Sequence, residues 1–389
     1  MRIPMLRLKS LCLTAVCAVM ACMLAACANI NIRIETPSAA SPVTACETTV
    51  SKNEEFGSIN IGMTIEEFEA AGFSFGDSVD ILFDNGTEYT DIPYYSGYFV
   101  PIGELVVCGY PGYEHPVIAR NYGNTVWDEL NLTDSSTVII SLNEKGRYRA
   151  VEEFNAMHYS DEHDDYETDI VFANFREIEG GDLKDDTFYR SASPCDDTHN
   201  RAACVDDLTE EHGIGFIINL ADNDEKYQGY RAQDGFVSDH YDELYDKGRV
   251  MFLSLNANYR SDEFAEGISN AFYKMSCQSD PVLIHCLEGK DRTGFAATLL
   301  LALAQASPQE IIDDYMITYD NYYGITKDGD PDKYEAVVEN VNGFLRYLCD
   351  ASDGDDVSAL DVRSGAENYL RRGGLNDEQI ARIEEFISQ

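Results

Sequence analysis

The stretch IHCLEGKDRTGF, residues 284–295, decides how the second half of this chain folds. It continues from the apolar residues Val282 and Leu283, and such a short apolar run predicts a buried strand. A mostly apolar helical segment then runs from Thr293 to Ala306. The loop between strand and helix is short, so its backbone N–H groups converge in front of the helix N-terminus. The stretch therefore predicts an anion site.

Cys286 stands at the start of this loop and Arg292 at its end. The guanidinium fork of Arg292 can hold two oxygens of a tetrahedral anion, and the amide dipoles with this cation stabilise a thiolate. Gly289 can supply a turn with positive φ, and Gly294 permits close approach at the first helical turn. The Thr293 hydroxyl can donate to the sulfur. We therefore expect Cys286 to attack phosphorus and form a phosphocysteine, with no metal or cofactor required.

Strand and helix patterns alternate from about residue 170 onward. Residues 216–220 and 250–255 are apolar runs, and residues 262–275 form an amphipathic helical pattern. This rhythm predicts an α/β fold with a central, mainly parallel sheet flanked by helices. Residues 53–151 contain short strand patterns instead and predict a small β-rich domain that precedes it, with a barrel as one form.

Local signals support the β-rich interpretation. The sequence DNG at residues 84–86 follows an apolar run and indicates a hairpin turn. Thr64 and Glu67 have the spacing of a capping box, which predicts a short helix. The tyrosines of this region form a dense patch that could bind a ligand, although aromatic packing inside a small barrel is the favoured explanation. They are Tyr94, Tyr95 and Tyr98.

The string HCLEGKDRTG resembles the signature of the protein tyrosine phosphatase superfamily. It is most similar to the bacterial secreted tyrosine phosphatase-like and lipid phosphatases, whose loop reads His-Cys-x-x-Gly-Lys-Asp-Arg-Thr-Gly. The sequences NFREIEGG, residues 174–181, and FYRSA, residues 188–192, are similar to the segments that open this family's domain. The resemblance covers about residues 172–347. It implies a tyrosine-phosphatase-like fold with Cys286 as nucleophile and Arg292 as phosphate clamp.

The resemblance also assigns the other loop residues. Lys290 resembles the lysine of loops that prefer highly charged phosphoinositides. His285 is expected to organise the loop from behind, and Thr293 and Gly294 to support it. The residues of the phosphate-binding loop are then Leu287, Glu288, Gly289, Lys290, Asp291 and Arg292.

Two aspartates are candidates for the general acid that protonates the leaving oxygen. Asp291 is favoured because it resembles the loop aspartate thought to serve as acid in myotubularin-like lipid phosphatases. Asp222 is the alternative because it follows the apolar run that ends at Leu220, although turn residues have the same composition. Arg176 and Arg190 are expected either to draw in a phosphate or to form surface salt bridges.

The sequence HYSDEHDDYETD begins at His158 in a predicted linker, residues 152–171. A metal site there would use imidazole and carboxylate ligands, but a solvated acidic linker is the favoured interpretation. The ligands would be His158, Asp161, His163 and Asp165. Seven cysteines follow Cys27, and Cys195 and Cys204 could bridge across a polar loop.

The N-terminal residues are typical of a targeting segment. A basic start and a short apolar run, residues 1–26, predict a signal peptide. The string LAAC ending at Cys27 resembles the bacterial lipobox, which implies a lipid on Cys27 and an exported protein anchored to the outer face of a membrane. Residues 27–52 then predict a tether. The formal net charge of −42 argues against nucleic-acid partners, because phosphate contacts need cations.

The sequence therefore predicts a phosphomonoester hydrolase with a cysteinyl-phosphate intermediate. Its substrates would be phosphotyrosine or other phosphorylated protein residues, with phosphoinositides as a second class. The alternative is a non-enzymatic surface protein that uses a phosphatase-like fold, residues 172–389, to bind a phosphorylated partner.

Overall fold

A computed structural model of the protein describes residues 44–54, 56–123, 126–352 and 354–388. These residues belong to one compact unit that contains two separate sheets. The predicted signal peptide, the lipid attachment at Cys27 and most of the predicted tether lie outside the described residues. Among the described helices, none has the length and apolar character needed to cross a membrane.

The first sheet is a closed barrel with strand order β1-β2-β6-β5-β4-β3-β7. Its pairings are antiparallel except between β4 and β5. The strands are β1 (Ala45–Lys52), β2 (Ile59–Ile61), β3 (Asp77–Phe83), β4 (Glu88–Tyr95), β5 (Leu105–Cys108), β6 (Val117–Arg120) and β7 (Thr137–Glu144). Short helices at Ile65–Ala70 and Val126–Glu129 lie between strands.

The local signals in the barrel sequence are confirmed. Thr64 and Glu67 form the capping box of the helix Ile65–Ala70. Gly86 has φ +86° in the turn that joins β3 to β4. Inside the barrel, Phe68 stacks on Phe73 with centroids 4.1 Å apart, so closure buries an aromatic core.

Two predicted boundaries are corrected. Residues 45–52, assigned to the tether, form β1 and pair with both β2 and β7, because barrel closure requires a strand at this edge. Residues 152–171, assigned to a linker, contain the end of the helix Arg149–Asn155 and the start of the helix Asp169–Ala173.

The second sheet has the order β11-β10-β12-β9-β8. The pairs β10–β11, β10–β12 and β12–β9 are parallel, and the edge strand β8 is antiparallel to β9. The strands are β8 (Arg176–Glu177), β9 (Phe188–Ser191), β10 (Phe216–Asn219), β11 (Val250–Phe252) and β12 (Val282–His285). We call this sheet and its helices the α/β region, and its presence confirms the predicted mixed α/β class.

Helices cover both faces of this sheet. On β12, Val282 and Ile284 pack into one apolar cluster while Leu283 packs into another on the opposite face. Burial on both faces explains why the strand sequence is continuously apolar. The helices are Ala202–Glu211, Asp224–Arg231, Asp239–Asp246, Asp262–Met275, Asp291–Leu303, Pro308–Tyr323, Pro331–Leu348, Val362–Arg372 and Asp377–Ile387.

Candidate active site

The centre of the site is the loop of residues 286–290, between β12 and the helix Asp291–Leu303. Cys286 lies at the carboxyl end of the central strand and is 3% exposed. Gly289 has φ +69°, and a Cβ at this position would collide with the carbonyl oxygen of Ser191. Only glycine therefore lets the loop fold this tightly against β9.

Arg190 supports the loop from the neighbouring strand β9. This arginine is fully buried on β9, and its Nη2 donates to the carbonyl oxygen of Gly289 at 2.8 Å. Its Nη1 pairs with Oδ2 of Asp314. The contact fixes one peptide of the loop, so the N–H groups around it keep their direction.

A second arginine shares the same carboxylate. Nε of Arg176 lies 3.2 Å from Oδ1 of Asp314, and Nη1 donates to Oδ1 of Asn174 at 2.8 Å. Burial, together with the charge of Arg190, lowers the pKa of Arg176 to about 10. Burial alone would raise the pKa of Asp314, but the two guanidinium groups outweigh it and lower that pKa. The expectation of surface salt bridges for Arg176 and Arg190 is wrong, since both arginines are bound to Asp314 inside the fold.

Asn174 and Tyr322 support the loop on its other side. Asn174 adopts a left-handed backbone with φ 48°, and its Nδ2 donates to the carbonyl oxygen of Glu288 at 3.3 Å. The hydroxyl of Tyr322 donates to the same oxygen at 2.7 Å. Sequence spacing did not identify Tyr322 or Asp314, because both lie on the distant helix Pro308–Tyr323.

His285, which precedes Cys286, and Thr293, in the first turn of the following helix, are both fully buried. Nδ1 of His285 donates to the carbonyl oxygen of Cys286 at 3.1 Å, since a carbonyl can only accept. Burial lowers the pKa of His285 to about 4, so the ring is neutral at pH 7. The Thr293 hydroxyl is buried, and no hydrogen-bond partner for it is seen in the described part of the chain, so its expected bond to the sulfur is absent.

Lys290 is engaged within the loop itself. Its Nζ lies 2.9 Å from Oε2 of Glu288 and 3.9 Å from Oδ2 of Asp291. Burial alone would lower the pKa of Lys290, but these carboxylates outweigh it and raise the pKa. Its charge is therefore compensated from inside the loop before a substrate binds.

Tyr159, in the predicted linker, contacts the ion pair of Lys290 and Glu288. The Tyr159 hydroxyl donates to Oε1 of Glu288 at 2.7 Å, and Oδ1 of Asp161 pairs with Arg201 at 3.0 Å. Burial of Glu288 opposes its ionisation, but Lys290 and Tyr159 outweigh this and lower the pKa of Glu288. Tyr159 is therefore packed against the loop, whereas residues 162–165 and 167–170 of the same segment are exposed.

The two general-acid candidates lie in different surroundings. The Asp291 side chain is 58% exposed at the start of the helix. The Asp222 side chain is 1% exposed and accepts hydrogen bonds from Asn219 at 3.0 Å, Lys226 at 3.0 Å and Tyr230 at 3.2 Å. Only Asp291 can meet a substrate without rearrangement of its contacts.

Arg292 lies beside Asp291 at the first turn of the helix. Its Nη1 donates to the carbonyl oxygen of Leu255 at 3.0 Å, which leaves the other guanidinium nitrogens for an anion. Gly294 follows on this helix, and a Cβ there would lie 2.6 Å from the Tyr315 ring. Close approach of Tyr315 therefore explains this glycine.

The ligands of the alternative metal site and the possible disulfide are not brought together. Asp161 is bound by Arg201, and within the residues that the structure describes His163 instead approaches Asp169 and Cys204. His163 Nε2 and Asp169 Oδ1 are already 2.8 Å apart as a pair. Cys195 and Cys204 are both free, since Cys195 is buried near Ser193 while the thiol of Cys204 faces the carbonyl of Asp169.

A cavity of about 310 Å³ adjoins the loop. Asp291 and Arg292 line one side of it, and residues 98–102 of the barrel line the other. The predicted tyrosine patch is divided accordingly, because Tyr94 and Tyr95 are buried in packing while Tyr98 reaches the cavity.

Comparison with known proteins agrees with this geometry. The family model described as "Tyrosine phosphatase family" matches residues 171–388, more than half of the chain. The chain belongs to the tyrosine phosphatase family. The barrel lies outside the matched residues, so family membership accounts for the α/β region alone.

Individual proteins match this chain over only part of its length. A curated "Tyrosine-protein phosphatase" of Nostoc commune is 34% identical over 127 residues, which are 30% of this chain and 43% of the relative. The chain therefore matches less than half the length of that tyrosine phosphatase. The crystal structure of P. aeruginosa TpbA is 20% identical, with 41% of this chain and 84% of that chain covered and a TM-score of 0.24.

Proposed function

We propose that this tyrosine phosphatase family member hydrolyses phosphomonoesters through a cysteinyl-phosphate intermediate on Cys286. The observation that carries the proposal is the position of Cys286 at the start of a tight loop, between a central strand and the N-terminus of the helix that contains Arg292. Loop amides and Arg292 together form an anion site that also favours the thiolate. Residues 172–389 would form the phosphatase domain, and the barrel a separate domain beside it.

The reaction would run in two displacements. The Cys286 thiolate attacks phosphorus, an S–P bond forms, and the P–O bond to the leaving group breaks. Asp291 gives its proton to the leaving oxygen. Its carboxylate then takes a proton from water, which attacks phosphorus, breaks the S–P bond and releases inorganic phosphate with the thiolate. Arg292 and the loop amides neutralise the phosphoryl oxygens in both steps.

His285 would assist the sulfur indirectly. Neutral His285 would fix the Cys286 carbonyl and add no positive charge, which leaves Arg292 as the cation that faces the phosphate.

A phosphorylated protein residue is the proposed substrate. Lys290 is already paired with Glu288, which weakens the case for a loop adapted to phosphoinositides with several phosphates. We also propose that the lipobox-like string anchors the protein at Cys27 to the outer face of a bacterial membrane, so its substrates would be outside the cytoplasm.

The nucleophile is tested with the full-length chain and p-nitrophenyl phosphate. We expect Cys286→Ser to lower turnover to background, because a serine hydroxyl is not ionised at neutral pH. Cys277→Ser is the matched control, since Cys277 is exposed and lies away from the loop. Activity should also persist in a chelator. Equal background release by the wild type and Cys286→Ser would favour the non-enzymatic alternative.

The general acid is tested by varying the leaving group. Asp291→Asn should lower turnover of phenyl phosphate by about 100-fold and that of 2,4-dinitrophenyl phosphate much less, because the nitrated phenolate leaves without a proton. Asp222→Asn should change both substrates alike. The opposite assignment follows if Asp222→Asn shows the leaving-group dependence and Asp291→Asn does not.

A further inference from the structure

The cavity beside the loop has walls from both parts of the molecule. Residues 98–102 of the barrel form one wall. Phe295, Tyr315 and Phe344 of the α/β region form the facing wall, and all three are buried core residues. Asp291 and Arg292 lie at the same cavity. The rest of a substrate molecule whose phosphate is bound at the loop would therefore extend toward this cavity.

Hydrogen bonds hold the barrel wall in place. Nδ2 of Asn121 donates to the carbonyl oxygen of Val100 at 2.7 Å, and Gly103 N–H donates to the carbonyl oxygen of Asn121 at 2.6 Å. Just before the wall, the Ser96 N–H donates to Oε2 of Glu152 at 3.0 Å. Because Glu152 belongs to the helix Arg149–Asn155 that leads into the α/β region, the wall is pre-formed relative to the loop.

The chemistry of the lining favours one class of occupant. The facing rings and aliphatic side chains suit an apolar group, and the side chains of Asn121, Asn155 and Asn340 place polar groups around it. The Nδ2 groups of Asn121 and Asn155 already donate to the carbonyl oxygens of Val100 and Val151. A peptide has both apolar side chains and hydrogen-bonding groups, whereas the acyl chains of a lipid cannot form hydrogen bonds with the amides. The small volume also suits one side chain better than paired acyl chains.

We propose that this cavity binds a large apolar side chain next to the phosphorylated residue of a protein substrate. The barrel wall, residues 98–102 with Tyr122, then determines which sequences the phosphatase accepts. The assignment rests on the proposed phosphatase function, but it concerns a barrel wall that the family match does not include. The barrel thus has a role in substrate selection, through contacts made within reach of Arg292.

The test compares two phosphopeptides that differ only beside the phosphotyrosine, with leucine or aspartate on both sides. The full-length wild type should prefer the leucine peptide by about 10-fold or more in kcat/KM, the effect of burying about two methylenes. Tyr122→Ala and Val100→Asp should each remove most of this preference. Both variants should hydrolyse p-nitrophenyl phosphate at the wild-type rate, because this small substrate does not need the wall.

Leu82→Ala is the matched control, since Leu82 is an exposed apolar residue of the barrel that does not line the cavity. Equal use of both peptides by the wild type, with p-nitrophenyl phosphate hydrolysed, overturns the pocket and leaves the phosphatase proposal standing. No hydrolysis of any substrate overturns the proposed function instead. Faster hydrolysis of a phosphoinositide in vesicles than of either peptide, lost in Val100→Asp, would assign the cavity to an acyl chain and overturn the peptide assignment.

Discussion

The barrel and the α/β region each contain a buried carboxylate in an ion pair, Asp77 and Asp314, and the two carboxylates differ in their partners. The buried carboxylate of Asp77 in the barrel pairs with Lys145 at 2.8 Å, and the lysine side chain is 47% exposed. In the α/β region, Arg190 is fully buried and shares Asp314 with Arg176. A desolvated ion cluster is costly and often adds little stability. Asp77 is therefore paired with a half-exposed cation, whereas Asp314 belongs to a desolvated cluster that contacts the loop of residues 286–290 through Arg190.

The largest expected effect comes from breaking this cluster. Asp314→Asn leaves two buried guanidinium groups with one charge partner fewer, and should lower the free energy of unfolding by about 3–5 kcal/mol. The Arg190 contact to Gly289 should loosen as well, so kcat should fall by about 100-fold. Urea unfolding and p-nitrophenyl phosphate turnover, measured well below the melting temperature, report the two effects.

Asp77→Asn is the corresponding change in the barrel. It weakens hydrogen bonds from Ser74 N–H, Gly146 N–H and Lys145, so the free energy of unfolding should fall by about 1–3 kcal/mol. Its kcat should stay unchanged, because Asp77 touches no part of the loop. A comparable loss of kcat in both variants would contradict the contrast between the two regions.

Substitutions at two glycines distinguish the cost of backbone strain from the effect of displacing the loop. Gly289 and Gly86 both have positive φ, +69° and +86°. A Cβ at Gly86 meets nothing within 4 Å, whereas one at Gly289 collides with Ser191. Gly86→Ala should cost about 1 kcal/mol of stability with full activity. Gly289→Ala should lower kcat by about 100-fold, or roughly 2.7 kcal/mol of activation free energy, because the loop must move. An active Gly289→Ala enzyme would show that the loop tolerates displacement.

A further expected effect is a pH dependence from His285. Its pKa is about 4 when folded against an ordinary 6.5, so the unfolded chain binds a proton that the folded chain excludes. Its contribution to stability is therefore complete above pH 6.5 and is lost as the pH falls toward 4. Between pH 8 and pH 5 the free energy of unfolding should fall by about 2 kcal/mol more in the wild type than in His285→Gln.

Asp206 titrates in the same range with the opposite sign, because burial raises its pKa to about 6. Both proteins contain Asp206, so its contribution cancels in the comparison of the wild type with His285→Gln. Urea unfolding at a series of pH values measures the difference. Identical pH dependence in the two proteins would mean that His285 is not kept neutral by the fold.

Local patterns in the sequence were sufficient to predict the strand, loop and helix around Cys286. The apolar run before Cys286, the glycine at 289 and the arginine at 292 lie within one strand–loop–helix unit. Such a unit depends on neighbouring residues, so its arrangement could be predicted without any distant contact. The same holds for the capping box at Thr64, which depends on residues three positions apart.

The sequence by itself thus determined the mixed α/β class, the loop and the residues expected to carry the chemistry. Only the tertiary structure decided that Asp314 supports the loop through Arg190, 124 residues away in sequence. It also decided that Asp222 is enclosed while Asp291 faces the cavity, and that the barrel forms the other wall. These features depend on which distant elements pack together, and burial and ion pairing are set by that packing rather than by local spacing.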